Sequence, residues 1–173
     1  TADGTGNAMV MRNTEGGNND TIQFRTLTQA RWDKTEYQTD GAIQVFEMDF
    51  TPLSGKYTRF YLQPRAGKGT DIGWIYICDG GKFYGSKAGY TLGRTYKVKL
   101  VFDTSKWTVS VYVDDVLDQQ LSFNMADTVH RSVCYIDWRM VCQYGSNTVG
   151  ALPAEIAIDN FKYYYTYAAP AMK

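Results

Sequence analysis

Four stretches of this chain carry polar or aromatic side chains at every second position, opposite a run of apolar ones. In residues 42–50, Phe46, Met48 and Phe50 alternate with Glu47 and Asp49. In 57–63, Phe60 and Leu62 alternate with Tyr57, Arg59, Tyr61 and Gln63. In 72–79, Ile75 and Ile77 oppose Trp74 and Tyr76. In 132–144, Ile136, Trp138 and Met140 oppose Tyr135, Asp137, Arg139 and Gln143. A period of two is that of a strand, whose successive side chains leave opposite faces. If the four strands are neighbours, their second faces make one groove of Glu47, Asp49, Arg59, Tyr61, Gln63, Trp74, Tyr76, Asp137 and Arg139. That set suits a sugar chain. Flat rings stack on the apolar faces of pyranoses, while carboxylates, Gln and Arg bond to hydroxyl pairs, most strongly where a partner is charged. The plain alternative is a solvated outer face of exposed ion pairs, each worth little. The arginines, rings and Gln exceed what solubility needs. A β-bulge would reverse the face assignment of any of these strands.

The elements that must position these residues are all strands. The clearest run is 94–123. Tyr96, Val98, Leu100 and Phe102 alternate with polar residues, Asp103-Thr104-Ser105-Lys106 turns the chain, and Trp107, Val109, Val111 and Val113 alternate again. Asp114-Asp115 is a second turn and 116–123 returns as a third strand, giving an antiparallel meander. Further short strands are predicted at 7–12, 21–27, 82–85 and 155–165, separated by Gly-, Asn- and Pro-containing loops. No amphipathic helix longer than two turns is legible. About ten strands with closely spaced turn signals indicate a two-sheet antiparallel β-sandwich or a barrel.

At 173 residues the chain can form one domain burying roughly 70% of its unfolded surface. The reading is a single domain over 1–167, followed by a small-residue tail or linker start at 168–173. Lys+Arg and Asp+Glu both number 18, with no basic run, which speaks against nucleic acid or an anionic membrane surface as partner. No apolar run approaches the roughly 20 residues of a membrane span. A start at Thr1 without Met is read as a mature secreted protein or a module of a larger one. The three cysteines, Cys78, Cys134 and Cys142, give no disulfide framework and are read as buried apolar thiols.

The segments Tyr96-Lys97-Val98-Lys99-Leu100-Val101-Phe102-Asp103, then Trp107 to Val113 with Asp114-Asp115, and Ile156-Ala157-Ile158-Asp159-Asn160-Phe161, together resemble the concanavalin A-like lectin/glucanase superfamily. The likeness is to its laminin-G-like and carbohydrate-binding-module branches. Asp115 stands where that hairpin usually has Gly. The resemblance spans about residues 7–165. It implies a two-sheet jelly roll that binds glycans on a concave sheet or at a loop edge, although fold alone does not fix function.

The same resemblance frames catalysis and metal binding. Glu47-Met48-Asp49 matches half of the Glu-x-Asp-x-(x)-Glu pattern of retaining glucanases, but Thr51 and Pro52 occupy the places of the second Glu. Retention needs two carboxyls about 5–5.5 Å apart. Asp137 could supply a carboxyl from another strand, which would be an inverting or novel arrangement. An alginate-lyase-like site would find Arg59, Tyr61 and Gln63, yet His130 falls in a connection and the Gln-Ile-His and Tyr-Lys-Ala-Gly signatures are missing. A structural calcium is implied at Asp159 with the loop containing Asp3, hard oxygen ligands of the kind calcium prefers. The resulting expectation is a secreted, non-catalytic module of a larger protein. It binds a polysaccharide of the plant cell-wall β-glycan kind, neutral by the balanced charge of the groove, with the two arginines leaving a uronate-bearing chain open. The rivals are a glycan-degrading enzyme on the same fold and a laminin-G-like adhesion module that binds a protein.

Overall fold

The computed structural model describes residues 8–14, 21–27, 42–54, 58–65, 73–123, 133, 135–144, 148–149 and 153–167. Among them run twelve strands: β1 (Met9–Asn13), β2 (Thr21–Leu27), β3 (Ala42–Ser54), β4 (Thr58–Arg65), β5 (Ile75–Asp79), β6 (Lys82–Phe83), β7 (Tyr96–Asp103), β8 (Thr108–Val113), β9 (Val116–Ser122), β10 (Tyr135–Tyr144), β11 (Thr148–Val149) and β12 (Ala154–Tyr167). They form two sheets. The first has the order β1-β12-β3-β7-β8-β9; the second has the order β11-β10-β4-β5-β6, with β2 also paired to β10. The ladders are antiparallel. The expected all-β sandwich is therefore present, and the meander is contiguous in the first sheet.

The apolar faces read from alternation meet between the sheets. Phe46, Met48 and Phe50 of β3, Val98, Leu100 and Phe102 of β7, and Val109 and Val111 of β8 face Phe60, Leu62, Ile75, Ile136, Trp138 and Met140 of the other sheet; all are buried. Phe50 stacks on Phe60 at 5.4 Å and Phe46 meets Trp138 edge-on at 6.3 Å, so both contacts tie sheet to sheet. The Trp138 indole N–H donates to Thr26 Oγ1 at 2.9 Å, satisfying the one polar atom that this ring carries into the core. Cys78 behaves as expected of a buried apolar thiol: it is fully buried, and burial pushes its pKa up to about 12. The side chains of Cys134 and Cys142 lie outside the described residues.

Turn chemistry explains the meander. Asp103 accepts the Ser105 amide at 3.1 Å and hydroxyl at 2.6 Å, and its carboxylate also meets Lys106 Nζ at 2.9 Å. Burial would raise this carboxyl, but the bonds from Ser105 and Lys106 more than offset it and hold it below its ordinary value. At the next turn Asp114 and Asp115 both have positive φ, 49° and 62°. Two consecutive left-handed residues define the I′ turn that matches hairpin twist. Asp114 further accepts the Lys97 amide at 2.9 Å and pairs with Arg94 at 2.8 Å. Trp107 sits in the preceding turn with φ 52°, so it is not the first dry residue of β8.

One expectation is corrected by the topology. β3 pairs with β12 and β7, not with β4. Glu47 and Asp49 are therefore on the outer face of the first sheet, while the other seven groove residues belong to the second. Alternation fixes which face a side chain leaves by, but says nothing about which strand lies next door. β3 also runs on past Phe50 through Pro52 to Ser54. Pro52, which has no amide to donate, falls at a register shift against β12, and its carbonyl accepts the Gly93 amide at 2.7 Å.

Candidate functional site

The outer face of the second sheet gathers Arg59, Tyr61 and Gln63 from β4, Tyr76 from β5, Asp137 and Arg139 from β10, and Trp74 just before β5. Register sets the rows. Tyr61 lies between Arg139 and Tyr76, and Asp137 lies between Gln63 and Arg25 of β2. Arg25 holds Asp137 through both carboxylate oxygens, Nε to Oδ1 at 2.6 Å and Nη2 to Oδ2 at 3.2 Å. Arg139 stands 4.0 Å from the same carboxylate. Asp137 is thus a buried anion between two guanidinium groups.

A bulge builds the other side. Phe60 faces Cys78 but Tyr61 faces Tyr76, which leaves Ile77 as the extra residue. Ile77 and Cys78 both point inward, so the alternation of β5 reverses and Asp79 emerges on the outer face. There it meets Arg59 at 2.9 Å. Bulges next to a site re-aim side chains in this way.

The rings form a row. Trp74 stacks on Tyr61 at 5.1 Å, Tyr61 packs on Tyr76 at 5.5 Å, and Tyr76 stacks on Tyr84 at 4.8 Å. Three of the four carry a cation over the ring: Arg139 over Trp74 at 5.7 Å, Arg59 over Tyr76 at 5.4 Å and Lys87 over Tyr84 at 4.0 Å. Tyr61 is only 6% exposed, whereas Trp74 is 46% and Tyr84 37% exposed. Tyr61 is therefore the support of the row, and Trp74 and Tyr84 are its open ends. Burial raises the Tyr76 phenol above its ordinary value, opposed by the nearby Arg59, so it stays a neutral hydrogen-bonding group.

Polar atoms on this face are buried without a hydrogen-bond partner among the described residues: Arg59 Nε, Arg139 Nε and Asp79 Oδ1. A buried donor or acceptor left unmet costs about 1–3 kcal/mol, and a polar ligand or water laid on the face would recover it. The arrangement offers ring faces, guanidinium donors and an acceptor in one strip.

No protein-family model and no curated protein sequence matches the chain. Solved structures do. A sialidase is similar at TM-score 0.64 and 14% identity over 91% of this chain, which spans 15% of the sialidase's length. Alginate lyase AlgAT5 of polysaccharide lyase family 7 is similar at TM-score 0.59 and 19% identity, covering 92% of this chain and 78% of that one. Another family 7 alginate lyase, A1-II′ with bound substrate, gives TM-score 0.55 and 11% identity over 94% and 80%. The fold that these proteins share with the chain is a two-sheet jelly-roll β-sandwich.

Within this jelly roll the predicted site residues separate cleanly. Arg59, Tyr61, Gln63, Trp74, Tyr76, Asp137 and Arg139 come together. Glu47 and Asp49 lie on the opposite outer surface, beside a cavity of about 540 Å³ that they line with Lys97, Lys99, Asp115, Asn160 and Lys162. There Glu47 accepts the Tyr164 hydroxyl at 2.8 Å and Asp49 accepts Asn160 Nδ2 at 2.7 Å. Asp159, the expected calcium ligand, sits opposite Asp49 across β12 and β3, and its Oδ1 accepts the Asn160 amide at 2.8 Å. Asp3 lies outside the described residues, as do His130 and the side chains of Tyr135 and Gln143. Among the described residues no group of three or more metal-binding side chains converges. Sequence reasoning missed Arg25, Asp79, Tyr84 and Lys87. Arg25 shows a signal in retrospect, an arginine flanked by Phe24 and Thr26 in an alternating strand. Asp79 shows none, because only the bulge brings it out.

Proposed function

We propose that the outer face of the β10-β4-β5 strands binds a polysaccharide carrying acidic groups, and does so without cleaving it. One observation carries the proposal: three ring–cation pairs, Trp74 with Arg139, Tyr76 with Arg59 and Tyr84 with Lys87, set along one row. A polysaccharide presents apolar ring faces at regular intervals, and a polyuronate adds a carboxylate to each. Stacking and charge-assisted bonds then repeat together along the chain. The charge of the face supports the acidic ligand. Without Glu47 and Asp49, its carboxylates among the described residues are Asp79 and Asp137, already held by Arg59 and Arg25, while Arg139 keeps a buried Nε free for a ligand. The neutral β-glycan expected from the sequence rested on two carboxylates that are not in this groove. That two of the similar structures are named alginate lyases agrees with a polysaccharide ligand.

Binding without turnover is favoured by what the would-be catalytic groups already do. Tyr61 is packed between Trp74 and Tyr76, and both Asp137 oxygens are taken by Arg25. Extracellular location belongs to the same proposal. So does a structural calcium at Asp159, toward which the register of Met9 with Ile158 directs the start of β1; a thermal transition raised by calcium and lowered by a chelator tests it. For the ligand, affinity electrophoresis through polyuronate and neutral β-glucan gels at two ionic strengths is the test, with reducing ends and unsaturated products assayed alongside. The expected result is retardation by polyuronate, weaker at high salt, with no product. Turnover would make the chain a polysaccharide-degrading enzyme. Equal retardation by both gels would return the neutral glycan, and none by either would favour the protein-binding adhesion module.

A further inference from the structure

We propose that Asp118, on the edge strand of the opposite sheet, is a positioning residue for the Tyr84 end of this face, assisted by its neighbour Gln119. The inference rests on the reading of the face as a polysaccharide site. In β9 the register runs Val111 with Gln119 but Tyr112 with Leu117, so Asp118 is an extra residue with no partner across the ladder. That bulge turns its side chain out of the first sheet and toward the second. The carboxylate takes two successive backbone amides of the loop after β6, Gly85 N at 2.8 Å and Ser86 N at 2.9 Å. Gln119 Nε2 donates to the Tyr76 carbonyl at 2.5 Å. One dipeptide of the first sheet therefore grips both the strand that carries Tyr76 and the loop that carries Tyr84.

The grip is close enough to dictate a glycine. A Cβ on Gly85 would lie 2.0 Å from the Asp118 carbonyl oxygen, so any side chain there must push β9 and the loop apart. Tyr84 is held at its other end by its amide, which donates at 3.0 Å to the carbonyl of Ile77, the bulged residue of β5. Two bulges thus meet across the seam of the sandwich: one brings Asp79 to the face, the other anchors the loop beside it. With Lys87 at φ 61° and its ammonium over the Tyr84 ring, the loop would otherwise have to order itself when a ligand binds, at the expense of affinity.

The test is calorimetric titration of oligouronates of graded length into the wild type, Asp118→Ala, Asp118→Asn, Gly85→Ala and the Asp118→Ala/Gly85→Ala double variant. In the wild type, affinity rises with length until the Tyr84 ring is engaged. Asp118→Ala should lose about fivefold on the longest chains, roughly one stacking contact, and nothing on short chains that fit over Trp74 and Tyr76. Gly85→Ala should copy that pattern, and the double variant should lose no more than either single change. A length-independent loss would make Asp118 merely structural. Length-dependent binding by the wild type that Asp118→Ala and Gly85→Ala leave intact would refute the positioning role alone. No binding by the wild type at any length would refute the binding reading, and this role with it. Should Asp118→Ala not fold, amide exchange decides: slow exchange at Gly85 and Ser86 in the wild type, quickened in the near-isosteric Asp118→Asn, is expected, and fast exchange in the wild type overturns the role.

Discussion

On the outer face of the first sheet, Glu47 lies between Lys99 and Lys162, and Asp49 faces Lys97. Opposite charges alternate across the strands, yet the carboxylates bond to Tyr164 and Asn160, and Lys99 reaches Asp115 at 3.4 Å and the Tyr112 ring at 5.0 Å. On the outer face of the second sheet the cations are mostly arginines, each laid on a ring or a carboxylate, and the rings touch one another in an unbroken row. Both faces come from the same period of two. They differ in how far the side chains are held before a ligand arrives. A lysine on a solvated face keeps its rotamer freedom and hydration, and both must be given up on binding. An arginine fixed over a ring has already lost them. The cavity of about 540 Å³ lies on the first face, whereas the stacked rings and the unmet polar atoms lie on the second.

Breaking that contrast is the most direct use of mutagenesis. The largest expected effect is on the second face: the double variant Trp74→Ala/Arg139→Ala should raise the Kd for an oligouronate about a hundredfold, on the order of 2.8 kcal/mol at ~1.4 kcal/mol per tenfold, read by calorimetry. Next is Arg25→Ala, which strands a carboxylate only 6% exposed. A buried unpaired group costs about 1–3 kcal/mol, and because the Arg25 side chain is 53% exposed a loss of about 1–2 kcal/mol in chemical denaturation is expected. A smaller effect of the opposite sign is expected at the hairpin of the first sheet. Asp115→Gly relieves a left-handed backbone at φ 62° and should stabilise the fold by about 0.5–1 kcal/mol, seen as a higher thermal midpoint. Least affected should be ligand binding by Glu47→Gln/Asp49→Asn, whose Kd should stay within about twofold of the wild type. A larger change would mean that the first face takes part.

The sequence carried the strands, the two turns of the meander, the inward faces and hence the sandwich, because alternation and turn residues are local signals. It also carried seven residues of the candidate site, since side chains on one face of β4, β5 and β10 share a face once those strands pair. Glu47 and Asp49 were joined to them wrongly because strand adjacency is a long-range property: β3 lies in one sheet and β4, next in sequence, in the other. Asp79 and Asp118 were illegible for another reason. Each owes its direction to a bulge, which inverts every side chain beyond it without leaving a mark in the pattern. Tyr84 and Lys87 lie in a short turn segment whose course is set by Asp118 from another sheet. Arg25 was within reach, but its partner lies 112 positions away.

The central claim, that recognition belongs to the second sheet's outer face and not the first, is tested most directly by mapping amide chemical shifts during titration with an oligouronate. The expected result is a contiguous set of shifts at Arg59, Trp74, Tyr76, Tyr84 and Arg139, with Lys97, Lys99 and Lys162 unmoved. Shifts centred on those three lysines would contradict it.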